Sequence, residues 1–379
     1  MSPHKWLRNT LWAISVWLAS SAVASAQNGP AGDVATTGNG EAPLPSVSET
    51  AADPSQAAGY GDVDFGQAPG FRWTASADFM ILDRLGTFPR TLVETIPFNG
   101  SIHISDLYNM PGTARLNATD LHQGIAGGPR LDVIHHGDDD ADLEVLYFQI
   151  GGWNDRQSVG PTPNDFLVMK APGGFVQTQD DFATQRMAWD YASQLYNAEV
   201  NARWRPWDRL TLLAGFRWVN LTEDLQGTLP PQRTVPFWET QTKNNLYGLQ
   251  IGAEGKLLER GRFSIGCVGK AGLYDDHAEE ATTVSIYRLL FGDSAWTDHA
   301  AFVGEIGVQC KYELTQRLSL RAGYEAIWLQ GIAVAPGQIP DTICHSSLDL
   351  WKISVQAAGV NCSSGAFYHG AIAGLEYSF

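Results

Sequence analysis

The sequence predicts an all-β fold: a closed, antiparallel, up-and-down transmembrane β-barrel of about ten strands, with twelve left open. Three observations predict it. Ten stretches between Gly70 and Phe379 alternate apolar and polar residues, the period of two that marks a strand. The connections between them alternate short and long, as they do when turns lie on one side of a bilayer and loops on the other. The composition is 44% apolar and only 17% charged, with 39 glycines and 13 tryptophans. That suits strands, tight turns and aromatic belts better than it suits an acidic soluble domain.

Residues 1–26 read as a secretory signal peptide. Lys5 and Arg8 form its basic end, Leu11 to Leu18 its apolar core, and Ala24-Ser25-Ala26 a small-residue cleavage site. No other run approaches the ~20 apolar residues of a spanning helix. Residues 27–69 are rich in Ala, Gly, Pro, Ser and Thr. They carry too little apolar bulk to offset the entropy of ordering, so a disordered periplasmic linker is expected. Residues 70–379 form the barrel. The net charge of −16 argues against nucleic acid and anionic surfaces as partners.

The ten stretches are, in order, 71–81, 121–134, 142–150, 194–204, 210–220, 245–257, 263–274, 300–312, 318–328 and 365–379. The fourth shows the pattern well. Tyr196, Ala198, Val200, Ala202 and Trp204 face one way, and Asn197, Glu199, Asn201 and Arg203 the other. Four junctions are short and polar: HHGDDDA, RPWDR, LERGR and ELTQR. The connections 82–120, 151–193, 221–244, 275–299 and 329–364 are long and read as extracellular loops. Residues 91–104 could add a further hairpin, which leaves the twelve-strand count open.

The last stretch places Phe367, His369, Ala371, Ala373, Leu375, Tyr377 and Phe379 on one face. Gly374, Tyr377 and Phe379 resemble the C-terminal insertion signal of bacterial outer-membrane β-barrels, although Ile372 stands where that pattern has a polar residue. The resemblance implies recognition by barrel-insertion machinery. Trp204, Trp207, Tyr312 and Phe379 fall near the turn ends of their strands, and Trp218, Tyr274 and Trp328 near the loop ends. They read as two aromatic girdles.

The region from Gly70 onward is also similar to a family of outer-membrane β-barrel proteins common in planctomycete genomes. The similarity rests on LNATDL (116–121), GPRLDV (128–133), LEVLYFQI (143–150), LLAGFRWVNLTEDL (212–225), NNLYGLQIGAEGKLLERGRF (244–263), RAGYEAIWLQGIAVAPGQI (321–339) and FYHGAIAGLEY (367–377). It implies a barrel in the outer membrane and transfers no catalytic residue.

The face opposite the apolar one carries both signs of charge: Asp78, Arg130, Asp132, Glu199, Arg203, Arg217, Glu254, Lys256, Lys270, Glu305, Lys311, Arg321, Glu325 and Glu376. A ten-strand bore is narrow, and an unpaired charge inside it is costly. These residues are expected to pair across the bore and plug it. The competing reading is a thin, charge-selective pore.

His135, His136, Asp138, Asp139 and Asp140 have the chemistry of a metal site, but neighbouring strand residues point oppositely and a charge run is usually a solvated turn. The acidic pairs Asp180-Asp181, Glu223-Asp224, Asp275-Asp276 and Glu279-Glu280 lack EF-hand spacing and read as solvated loop ends. His277, His299, His345 and His369 could pair with Ser346 or Ser363, but no nucleophile elbow supports a hydrolase. In an oxidising compartment Cys344 and Cys362 are expected to form a disulfide. Cys267 and Cys310 are either lipid-facing or a second bridge.

The expectation is therefore a non-enzymatic outer-membrane barrel with a structural or surface-display role and outer-membrane lipid as its surroundings. No metal or prosthetic cofactor is implied. A narrow porin-like pore and an outer-membrane hydrolase are the alternatives.

Overall fold

The computed structural model describes residues 71–97, 104–137, 140–160, 162–178, 186–230, 233–286, 289–345 and 353–379. The signal-peptide and linker readings lie outside this set. So do Asp138, Asp139, Asp180, Asp181 and Ser346.

Ten strands close into one antiparallel ring. In chain order they are β1 (Trp73–Leu85), β4 (Ile125–His136), β5 (Ala141–Val159), β8 (Met187–Trp207), β9 (Leu210–Leu229), β10 (Arg233–Arg260), β11 (Phe263–Ile286), β12 (Leu289–Glu313), β13 (Leu318–Ile332) and β16 (Ser364–Ser378). Each pairs with its neighbour in sequence around the ring, and β16 returns to β1. That seam runs from Thr74 opposite Ser378 to Leu85 opposite Phe367. Phe379 locks its end: its carbonyl accepts from the amides of Arg72 and Trp73 at 3.1 and 3.0 Å, and its amide donates to Trp73 at 2.9 Å. Where the ring closes, over the belt, neighbouring strands pair on both sides; above it the ladder is open on one side of β12, which pairs with β11 from Leu289 but with β13 only from Phe302.

Near the short turns the outer face is apolar. Phe79, Leu131, Val145, Val200, Phe216, Ile251, Ile306 and Leu375 all stand exposed there. Further along the same strands the pattern inverts. On β8, Asn197, Glu199, Asn201 and Arg203 point inward below, but Leu195, Tyr191, Trp189 and Met187 point inward above. On β9, Leu221, Leu225 and Leu229 are buried while Thr222, Asp224 and Gln226 lie on the outer side. The ring is thus greasy outside at one end and greasy inside at the other. The crossover marks where a bilayer would give way to water.

This inversion corrects the expected loops. Residues 221–244 and 275–299 read as long connections because their apolar face changes sides. They are strand for most of their length, carrying β9 to β12 well past the apolar belt. The same correction applies to Glu223, Asp276 and Glu280. They are buried inward-facing strand residues, while Asp224, Asp275 and Glu279 sit on the outer side. None is a loop end. Tyr274 is likewise not part of a girdle. It points inward and is buried, while its neighbour Leu273 is exposed.

The ring has ten strands and not twelve, because the additional strand signal folds elsewhere. β2 (Thr91–Pro97), β3 (Thr113–Asn117), β6 (Asp165–Ala171) and β7 (Phe175–Thr178) form a separate sheet in the order β3-β2-β6-β7. They come from the β1–β4 and β5–β8 connections at the end opposite the short turns. A hairpin of β14 (Thr342–His345) and β15 (Ser354–Ala357) lies at the same end. Leu92, Leu167 and Phe175 of these elements share one core with Trp189, Leu225 and Trp238 of the ring. Among the described residues no helix is long and apolar enough to cross a membrane.

Cys344 and Cys362 are also placed differently from expectation. All four are free thiols. Cys344 packs in the mouth core with Ala335 and Ile339, whereas Cys362 packs in a separate cluster with Ala278 and Ala333. Burial among apolar side chains holds the Cys344 thiol up to about 12 and the Cys362 thiol up to about 11, which opposes thiolate chemistry. Cys267 faces Val308 and Cys310 faces Ile265 across the β11–β12 ladder.

Candidate functional site: a bore filled by charge, then by apolar side chains

Three layers occupy the bore. The lowest is ionic. Arg217 on β9 lies 2.8 Å from Glu305 on β12 and 3.5 Å from Glu199 on β8. Lys270 on β11 reaches Glu199 at 3.0 Å and Glu305 at 3.1 Å. Two cations and two carboxylates thus make a square, each corner touching both opposite charges. Neutral neighbours use the remaining valences. Arg217 Nε donates to Asn197 at 2.6 Å, and Gln250 Nε2 donates to Glu199 at 2.7 Å and to Asn201 at 2.8 Å. Glu199 and Arg217 are each 1% exposed, Glu305 2% and Lys270 6%.

Closer to the short turns the network opens toward solvent. Arg203 bridges Glu144 and Glu254, and Lys311 meets Glu376 at 2.5 Å. Arg321 connects Asp78, Asp132 and Glu376 at 3.5–3.9 Å, while Arg130 connects Asp78 and Glu325 at 3.7–3.9 Å. These longer contacts are charge pairs more than hydrogen bonds. Lys256 stands apart from the rest. It is exposed, next to a register shift that turns both Leu257 and Leu258 outward.

The second layer is apolar and had no counterpart in the sequence reading. Met80, Leu82, Phe148, Leu195, Val303 and Ile327 belong to one buried cluster. Trp153 closes it, donating its indole N–H to the Leu82 carbonyl at 3.2 Å and packing on Tyr368 at 5.2 Å between ring centroids.

The third layer joins bore to mouth. Arg84 ion-pairs with Glu223 and donates to Gln123 at 2.7 Å. Tyr191 and Tyr368 flank its guanidinium at 5.3 and 5.8 Å. Glu223 also accepts from Tyr191 at 2.7 Å and from the Ala335 amide at 2.8 Å. That amide belongs to a segment that turns inward from β13. Gly331 (φ 77°) supplies the left-handed backbone for the turn, and residues 332–335 are fully buried beyond it. Asn244 holds the segment by two bonds to Ala333, one donated and one accepted, both 2.7 Å.

The other sequence candidates do not converge. His136 Nδ1 lies 3.2 Å from an Asp142 carboxylate oxygen and its Nε2 2.8 Å from the Thr74 hydroxyl, while His135 packs edge-on against Trp73. Among the described residues no three His, Cys, Asp or Glu side chains form a group able to hold a metal. His277 meets Asp298 at 2.7 Å on the exposed outer surface. His345 bonds the Gly173 carbonyl, His369 bonds Tyr324, and Ser363 bonds Asn361. Of the residues in the insertion-signal pattern, Gly374 lies opposite Asp78 on the β1 seam, and Tyr377 and Phe379 stack on the outer face.

One buried group above the belt predicts a pH response. Glu280 on β11 is 2% exposed. Burial, with some help from Asp293 and Asp341, lifts its carboxyl to about 7. The folded state therefore holds a proton there that an unfolded strand would release, and stability falls as pH rises from the ordinary carboxylate range through 7. Limited proteolysis of the β11–β12 extension should be slower at pH 5 than at pH 8. Glu280→Gln should remove only part of that difference, because burial also lifts Asp276 on the same strand to about 7; the double variant with Asp276→Asn should flatten most of it.

No family model matches the chain, and no curated protein matches it. Among solved structures, the outer membrane protease OmpT of Escherichia coli aligns over 81% of this chain and 97% of its own, at 9% identity and a TM-score of 0.46. The Ralstonia pickettii toluene transporter TbuX aligns over 82% and 90%, at 9% identity and a TM-score of 0.32. A Pseudomonas aeruginosa FadL homologue aligns over 81% and 90%, at 11% identity and 0.26. These are likenesses of fold.

Proposed function

We propose that the chain is an integral protein of a bacterial outer membrane, exported by its N-terminal signal, with a structural and surface-display role and no enzymatic one. The barrel fixes the β3-β2-β6-β7 sheet and the β14–β15 hairpin at the outer surface, and the short turns face the periplasm. The exposed apolar belt supports the membrane setting, because nothing but lipid would cover so continuous a band on a closed ring. Membership of the planctomycete-type family is part of the same proposal.

One observation carries the structural role over conduction: the charges that would line a pore are withdrawn from water. Arg217 and Glu199 in mid-bore are each 1% exposed, where the walls of an aqueous channel would be wet. Planar-bilayer recordings on refolded full-length protein should show no single-channel steps. Reproducible unitary currents from folded material would refute the sealed reading.

A further inference from the structure

The four-stranded sheet at the mouth holds a cavity of about 480 Å³, within the size range of small-molecule sites. It lies over β2 and β6, with Tyr108 from the segment before β3 on its wall. Two cations line it, and they are not equivalent. Lys170 is neutralised: its ammonium lies 3.0 Å from Glu94 and donates to the Met110 carbonyl at 2.7 Å. Arg90 is not. Among the described residues its guanidinium makes one hydrogen bond, Nη2 to the Lys170 carbonyl at 2.8 Å, and no ion pair. Its Nε is buried without an acceptor. Burial lowers the Arg90 pKa from its ordinary value, with Glu94 and Tyr108 acting the other way.

A half-buried guanidinium with spare donors and, among the described residues, no carboxylate within ion-pair distance is a receptor for a planar anion. The wall is polar on balance, and Pro89, Pro172 and Tyr108 are among the residues that line it and can offer a ring to a planar ligand. We propose that this cavity binds a small aromatic or similarly planar carboxylate, whose anionic end is held by Arg90 and whose ring lies against Tyr108 and the prolines. The Glu94–Lys170 pair is neutral overall, so Arg90 leaves the cavity one net positive charge, which a monoanion matches and a phosphate dianion exceeds.

The test is calorimetric titration of the refolded full-length protein in detergent with 2-naphthoate, 2-naphthamide and inorganic phosphate. For a ligand of this size, 2-naphthoate should bind with a Kd on the order of 0.1–1 mM, and the neutral amide and phosphate at least about tenfold more weakly. Arg90→Gln should weaken naphthoate by about tenfold or more, Arg90→Lys by less, and Tyr108→Ala by several-fold. Arg156→Gln, at an exposed arginine outside the cavity wall, should have no effect. Heat-modified gel mobility establishes that each variant is folded. The proposal fails if naphthoate does not bind, if the amide or phosphate binds as well, or if folded Arg90→Gln and Tyr108→Ala both keep wild-type affinity.

Discussion

Replacing Arg217 by Met will lower the unfolding free energy of the barrel by about 3–5 kcal/mol, the cost of removing one member of a buried ion network. The change leaves Glu199 and Glu305 sharing only Lys270. One negative charge then remains uncompensated where water does not reach. It also strands Asn197, whose side-chain oxygen accepts from Arg217 Nε. The measurement is reversible urea unfolding of protein refolded into lipid vesicles, followed by tryptophan fluorescence. The double variant Arg217→Met with Glu305→Gln removes one charge of each sign. It should recover more than half of the loss, because the penalty comes from the imbalance and not from the missing bond. A single-variant loss below about 1 kcal/mol would place these groups in water and overturn the sealed bore.

Arg84→Leu will cost a similar amount, about 3–5 kcal/mol, and its effect will be seen at a different place. Glu223 loses its cation and keeps only the bonds from Tyr191 and the Ala335 amide. An unpaired carboxylate in that setting either takes up a proton or draws in water, and either outcome loosens the segment that turns into the bore. Amide hydrogen exchange at residues 333–339 should therefore speed up by about tenfold or more, while the belt-level strands change little. Glu223→Gln should be milder, because the amide oxygen still accepts from Ala335. Combining Arg84→Leu with Glu223→Leu should restore much of the stability and leave the segment mobile. Unchanged exchange in folded Arg84→Leu would show that Asn244 alone holds the segment.

The two variants probe different seals. The square of Glu199, Arg217, Lys270 and Glu305 fills the bore within the belt. The Arg84–Glu223 pair fastens the plug above it. Because an apolar layer with Trp153 and Tyr368 at its centre lies between them, loss of either ionic layer alone should leave the barrel non-conducting.

The belt-level strands could be read directly from the sequence because lipid and bore impose opposite demands on successive residues. In β8, β12, β13 and β16 nearly every second side chain had to be apolar, with His369 the exception on β16, and the turns at one end of the ring had to be polar and short. That is local information, and it located ten strands and the inward-facing charges such as Arg217 and Glu325. Above the belt the same chain still forms strand, but the solvent is now water and the apolar face turns inward. Across the inversion near Leu221 and Asp276 the outward pattern breaks, so continuous strand resembles loop. Only the tertiary structure decided which charges meet, because Arg84 and Glu223 lie 139 residues apart in sequence and electrostatic pairing follows distance in space. It also decided that Cys344 and Cys362 pack in different clusters, and that the long connections fold back to close the mouth. Periodicity records which solvent each residue faces; it does not record what fills the space that the strands enclose.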